Sequence, residues 1–290
     1  MSTDPRSSWR LTDDLDGFHA RAEEFLSSAP APHTALLSVT DTLRERGLQA
    51  YGEGAPQFGT YADEAGRVRG AFLRTPPHRL LLSPVAPEAA DILARQLAGS
   101  GHALPGIVAD RDTAEAFARA WEKHTGATAT PGHRQRLYRL AALTPPEPAP
   151  PGRARLADDG DRALLERWHG EFAEAVGEPA FMGSGAWVDS RLAYGGVTLW
   201  ETPDGTPVAM AGVTRRTAGQ VRVAPVYTPA ALRGRGYGGA ATVAVSRAAL
   251  DAGAAEVLLF TDLANPTSNG LYQRIGYRPV GDFTQYDFSG

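Results

Sequence analysis

Short apolar runs alternate with longer amphipathic stretches along the chain, and the alternation is written twice. In the first half, GRVRGAFL (Gly66–Leu73) leads into LLLSPV (Leu80–Val85), and a helical pattern begins near Pro87. In the second half, VAMAGV (Val208–Val213) leads into VRVAPV (Val221–Val226), and a helical pattern covers about Gly238–Ala252, with Gly253 as its stop signal. Each pair ends in an apolar strand interrupted by a proline, Pro84 or Pro225. A proline inside a strand cannot donate to the ladder, so it predicts a bulge or a place where strands part. A third strand follows in each half, Ile107–Asp110 and Leu258–Asp262, and Tyr138 and Tyr286 lie in comparable last strands. LTDDLD (11–16) and LADDGD (156–161) both precede helical patterns, where acidic residues suit capping and the helix dipole. With matching features roughly 140 to 150 residues apart, the chain reads as one α/β unit repeated in tandem.

Between the copies lies LTPPEPAPPGR (143–153), whose five prolines block both helix and ladder and predict a semi-rigid linker. The expected organisation is therefore residues 1–143 as one domain, 144–153 as linker and 154–290 as the second domain. The halves differ after their prolines. The second inserts Tyr227–Leu232 and then RGRGYGG (233–239) before its helix, whereas the first runs from Pro84 to its helix almost directly.

The helix after RGRGYGG is apolar on most faces, with Thr242, Ser246, Arg247 and Asp251 along one side, so it reads as buried against a sheet. Its N-terminus then presents unpaired amides, glycines let an anion approach them, and Arg233 and Arg235 add charge-assisted donors. The ligand that fits is a phosphate-bearing cofactor. Gly234, Gly236 and Gly239 satisfy G-x-G-x-x-G, yet a dinucleotide fold wants the first glycine directly after a strand and an acidic residue ending the next one. Here Pro229–Leu232 intervene, and Glu256 precedes its strand, so that reading fails on context.

Arg233-Gly234-Arg235-Gly236-Tyr237-Gly238 fits the Q/R-x-x-G-x-G/A loop of the GNAT superfamily of acyl-CoA-dependent N-acyltransferases. The order expected next in that family is a strand, an asparagine, and a helix with a tyrosine shortly before a glycine-aromatic pair. Asn265 to Tyr277 (NPTSNGLYQRIGY) supplies these in order. The second half thus resembles a GNAT domain over about residues 153–288, with a faded copy over 8–143 that lacks the loop. The resemblance implies an α/β fold of two tandem GNAT-like domains, each a mixed central sheet flanked by helices. It also implies acetyl-CoA as co-substrate, with its pyrophosphate on residues 234–239 (Gly234, Arg235, Gly236, Tyr237, Gly238, Gly239) beside Arg233. Its pantetheine arm would lie along Val226, Tyr227 and Thr228, with Asn265 and Ser268 as further contacts. Tyr272 matches the general acid, and the acceptor is a primary amine, with a small molecule favoured over a protein.

No carboxylate occurs in Val221–Val226 to serve as base, so the candidates are Asp262 at a strand end and Glu171 or Glu174 on the helical stretch after Leu164. Asn265 also reads as an N-cap with Pro266 at the first helical position. The aromatic stretch 167–200, with Trp168, Phe172, Phe181, Trp187 and Tyr194, is expected to divide between core and acceptor pocket, and Gly183-Ser184-Gly185 reads as a turn. The missing strand carboxylate leaves a second function open: an acyl-CoA sensor or partner-binding protein without turnover.

Composition narrows these readings. At 42% hydrophobic and 21% charged, with net charge −4, the chain offers no argument for a nucleic-acid partner. It has no cysteine, which excludes disulfides, thiolate metal sites and a thiol nucleophile, and favours direct transfer in a ternary complex. The seven histidines show no metal-ligand spacing, so no metal is expected. The start MSTDPRSSW lacks a secretory pattern and no apolar run reaches membrane-spanning length, so a cytoplasmic protein is expected.

Overall fold

The computed structural model describes residues 8–101, 103–177 and 183–290. The chain divides into two compact units, residues 1–136 with 281–290, and residues 137–280. The division therefore falls at Arg136/Leu137 and again at Val280/Gly281, outside the proline-rich 144–153 stretch.

The first unit contains β1 (Trp9–Thr12), α1 (Leu15–Ser28), α2 (Thr34–Arg46), β2 (Gln57–Ala62), β3 (Val68–Arg74), β4 (Leu80–Leu82), α3 (Pro87–Gly99), β5 (Gly106–Asp110) and α4 (Arg111–Thr125). Its sheet runs β1-β2-β3-β4-β5 and is continued by a strand from the far end of the chain. Phe283–Asp287 pair antiparallel with Asp110–Gly106, and Arg79 Nε holds Asp287 at 2.6 Å. One core, with Trp9, Phe72, Leu93, Phe117 and Trp121, lies under α3 and α4; another, with Phe18, Leu36, Leu43 and Phe58, lies under α1 and α2.

The second unit contains β7 (Arg153–Leu156), α5 (Arg162–Val176), α6 (Ser184–Leu192), β8 (Val197–Glu201), β9 (Pro207–Val213), β10 (Gln220–Tyr227), α7 (Tyr237–Asp251), β11 (Glu256–Asp262) and α8 (Pro266–Arg274). The unit boundary falls within the long strands β6 (Thr128–Leu140) and β12 (Tyr277–Ser289). Its sheet runs β6-β11-β10-β9-β8-β7. β10 and β11 pair in parallel, joined by the α7 crossover, just as α3 joins the parallel pair β4 and β5 in the first unit.

α7 lies where its pattern predicted, but its hydroxyl face points inward. Thr242 and Ser246 are fully buried, each bonded back to the carbonyl four residues earlier, and Ser246 Oγ meets Tyr277 Oη at 2.7 Å. That inward face is tolerated because every buried hydroxyl has a partner. No helix among the described residues is long and apolar enough to cross a membrane.

Candidate functional site

The site is built where β10 leaves β11. The two strands pair from Gln220↔Glu256 to Arg222↔Leu258, and β10 then continues to Tyr227 with its register to β9 shifted between Val223 and Val226. Pro225 lies inside that shift, as expected of a residue without a ladder donor. A three-residue 3₁₀ turn follows the strand at Ala230–Leu232, and the chain enters α7 through the exposed segment Arg233–Gly236.

The glycines of this segment answer to different requirements. Gly234 (φ +79°) and Gly236 (φ +84°) adopt left-handed backbone that side chains disfavour. Gly236 is the N-cap of α7, and no side chain caps that end, so the first-turn amides face outward for a ligand's oxygens. Gly238 and Gly239 are helical, where glycine costs about 1 kcal/mol relative to alanine. A Cβ on Gly239 would lie 2.9 Å from Leu271 Cδ1 of α8, and one on Gly238 would lie 3.1 Å from Thr228 Oγ1. Close packing against α8 and the end of β10 thus explains these two glycines, and backbone shape explains the other two.

Arg233 folds back, its Nε donating to the Thr228 carbonyl at 3.0 Å, and Arg235 reaches the Ala231 carbonyl at 3.5 Å. Both are exposed, with weak or no tethering of the rest of the guanidinium. They are cations at the mouth of the segment and free to swing toward an anion. A pyrophosphate therefore fits this part of the chain: outward amides, no capping side chain and two mobile cations.

Asn265 caps α8, its side chain accepting from Ser268 N at 3.0 Å, with Pro266 at the first helical position. Asn269, a residue that no sequence signal singled out, ties the helix further. Its Nδ2 donates to the carbonyls of Asp262 (2.8 Å) and Asn265 (2.7 Å), while its Oδ1 accepts from Tyr138 Oη at 2.8 Å. Gln273 completes the anchor by donating to the same hydroxyl at 3.1 Å. α8 is thereby held rigidly, and Tyr272 with it.

Tyr272 is buried in the core with Tyr237, Val223 and Leu259, edge-on to Tyr277 at 6.1 Å. Among the described residues its hydroxyl has no hydrogen-bond partner, and burial pushes its phenol up to about 12. It therefore keeps its proton throughout the neutral range.

The carboxylate candidates separate. Asp262 Oδ1 accepts from Ala264 N at 2.8 Å and shapes the turn after β11. Glu171, on α5, accepts from Tyr227 Oη at 2.6 Å, at the end of β10, and Arg167 lies 3.9 Å from its other oxygen. Burial, then the bond to this carboxylate, pushes the Tyr227 phenol up to about 12. Glu174 is exposed. Glu171 is thus the carboxylate in contact with the strand that parts.

In the aromatic stretch, Trp168 and Trp187 are core residues and Phe172 packs against that core, whereas Tyr194 is half-buried. Phe181 lies outside the described residues. Gly183-Ser184-Gly185 is the start of α6, with Gly183 as N-cap, and not a turn. Ser184 Oγ meets His169 Nδ1 at 2.9 Å, and His169 stacks on Trp187 at 4.6 Å. Among the described residues no group of three or more His, Asp or Glu side chains could hold a metal ion.

The parallel pair β10 and β11 thus parts above an uncapped, glycine-rich helix start. Residues 156–277, within the second half of the chain, match the model of the acetyltransferase (GNAT) family. A search of curated proteins gave no significant match. Among solved structures, the chain is similar to a GCN5-related N-acetyltransferase from Sphaerobacter thermophilus, with 20% identity, TM-score 0.61, and 98% of this chain and 96% of that one covered. It is also similar to a Drosophila protein (14% identity, TM-score 0.65, coverage 97% and 98%). A tandem GNAT protein from the clavulanic acid biosynthesis pathway is similar too (13%, TM-score 0.60, coverage 97% and 98%). At these identities the likeness speaks for the fold: two tandem GNAT-like domains.

Proposed function

We propose that the protein transfers an acetyl group from acetyl-CoA to a primary amine, directly within a ternary complex. The observation that carries this reading is the parting of β10 from β11 after Arg222, above the uncapped start of α7. Amides of residues 234–239, with Arg233 and Arg235, would hold the pyrophosphate. The edge of β10 at Val226, Tyr227 and Thr228 would receive the pantetheine arm, with Asn265 and Ser268 flanking it.

Acetyl-CoA supplies the activated thioester carbonyl and a thiolate leaving group. A backbone amide near Val226 serves the carbonyl oxygen as it gains charge. Glu171 takes a proton from the incoming ammonium, through water or through Tyr227, because its carboxylate is bonded to the Tyr227 hydroxyl at the end of β10. Asp262 is the weaker candidate, since its carboxylate already shapes a turn. Tyr272 donates to the leaving thiolate. With a phenol near 12 against an ordinary thiol near 8.5, outright proton transfer is uphill by about 5 kcal/mol. Tyr272 therefore acts as a hydrogen-bond donor whose proton follows only as the carbon–sulfur bond breaks.

Calorimetric titration with acetyl-CoA, followed by thiol release with an amine panel, tests both halves of this reading. One acetyl-CoA per chain is expected, and Tyr272→Phe should bind it normally while lowering kcat by about 100-fold or more. Absence of acetyl-CoA binding would sink the acyltransferase reading. Binding without turnover on any amine would leave the acyl-CoA sensor as the function, and normal turnover by Tyr272→Phe would remove that residue's role.

A further inference from the structure

Next to the bulge of β10 stands a cation that the acyl donor does not use. Arg191, in the last turn of α6, is half-buried between two rings, its guanidinium carbon 5.7 Å from the Trp187 centroid and 5.9 Å from that of Tyr194. Its Nη1 donates to Tyr194 Oη at 2.6 Å, and that hydroxyl donates on to the Val213 carbonyl at 2.7 Å. A second guanidinium, Arg215, lies over the same tyrosine at 4.4 Å. The nearest acidic residue in sequence, Asp189, is turned toward Arg162 at 2.5 Å. Among the described residues no carboxylate lies within ion-pairing distance of Arg191, and its buried Nε has no acceptor. His169, also buried here, is held below the usual imidazole range by burial and by the Arg191 charge, so its ring stays neutral beside Arg191.

This corner adjoins the proposed transfer site. A Cβ on Gly212 of β9 would lie 3.1 Å from Trp187 Cζ2 and 2.7 Å from the carbonyl oxygen of Ala224, the residue before Pro225. Trp187 therefore separates Arg191 from the bulge by the width of one indole. A cation pinned by two rings has little freedom to lose on binding, and a guanidinium presents parallel donors that match a carboxylate. An acceptor bound with its carboxylate here would extend its amine toward β10.

We propose that Arg191, on its Trp187–Tyr194 platform, binds a carboxylate of the acceptor, so that the acceptor class is amines that also carry a carboxylate, as free amino acids do. This rests on the acyltransferase reading for the chemistry, though not for the binding.

The test pairs each of a panel of α- and ω-amino acids with its own primary amide. The amide's amine is less basic and more often neutral, so intrinsic reactivity favours the amide, and a preference for the carboxylate must come from the protein. We expect at least one amino acid to be acetylated with a KM about ten-fold or more below that of its amide. Arg191→Gln should abolish the difference by raising KM for the amino acid alone, and Arg191→Lys should restore part of it. Equal KM values within every pair, or a loss in Arg191→Gln that falls equally on both members, would overturn the proposal. A readout free of turnover uses calorimetry of N-acetylated amino acids against N-acetyl amino amides in the presence of CoA. Heat confined to the carboxylates and lost in Arg191→Gln supports the site; no heat from any carboxylate overturns it. If acetyl-CoA itself neither binds nor reacts, the acyltransferase reading falls, and repeating the carboxylate titration without CoA decides this proposal separately.

Discussion

At Pro84 and at Pro225 the chain makes the same opening move and then two different ones. In both units a strand pairs antiparallel with its predecessor and only briefly parallel with its successor; Pro225 lies inside β10 beyond that pairing, whereas β4 ends at Leu82, so Pro84 follows its strand and does not interrupt it as the sequence suggested. In the second unit the chain goes on through Thr228 and the glycine segment before α7 begins; neither α7 nor α3 has a capping side chain, so the two units differ in what fills the space after the proline. In the first unit the gap is filled from within. Thr113 of α4, itself 2% exposed, accepts from Val85 N at 3.1 Å and donates to the Val85 carbonyl at 3.3 Å. The Val85 side chain lies over Gly70, where an added Cβ would come within 2.6 Å of it, and α3 begins two residues later at Pro87, which has no amide to offer. A cleft for an extended ligand needs backbone groups without internal partners, and a single threonine hydroxyl is enough to use them up.

Four changes would break or sharpen this contrast. The largest effect belongs to Gly236→Val, which forces a β-branched residue into left-handed backbone. Acetyl-CoA affinity should fall by about 100-fold or more, whereas Gly66→Val, at a comparable φ in the first unit, should leave it unchanged in the same calorimetric titration. Arg233→Ala removes one mobile cation and should weaken acetyl-CoA by roughly ten-fold, with a reduced salt dependence of Kd. Thr113→Val should cost about 1–2 kcal/mol in chemical denaturation by stranding the Val85 groups, with no change in acetyl-CoA affinity; a second acetyl-CoA bound per chain in this variant would show that the hydroxyl alone closes the first unit. The most graded change is with pH. The folded chain holds the Tyr272 proton to about pH 12, whereas an unfolded tyrosine releases it near 10. That contribution is whole below pH 10 and is lost as pH rises toward 12, by up to about 3 kcal/mol. Tyr272→Phe should accordingly show a shallower fall in Tm over that interval.

What the sequence made legible is what short-range chemistry determines. The Asn265 cap with Pro266, the limits of α7, and the proline that marks the bulge all follow from residues within a few positions of one another. The tandem repeat was legible because hydrophobic period and turn residues recur in order. Long-range pairings were not. Nothing near Glu171 announces Tyr227, which is 56 positions away, and nothing near Val85 announces Thr113, 28 away. The glycines of 233–239 were legible as a group, but their separate reasons were not, because Leu271 and Thr228 meet Gly239 and Gly238 only once the chain is folded. Ser184 was misread as part of a turn because a helix start and a turn use the same Gly-Ser-Gly alphabet.

The departure of residues 281–290 to the first unit has a consequence for how the protein is made. The second unit is a single unbroken stretch, 137–280, whereas the first holds two stretches that the ribosome produces far apart in time. At roughly 5–20 residues per second, about 7–30 s separate completion of the early stretch from arrival of the last strand. During that interval β5 has no partner in Phe283–Asp287, and a nascent strand edge of this kind is the part of the chain a chaperone would be expected to cover. The half that is translated first is thus the half that finishes folding last.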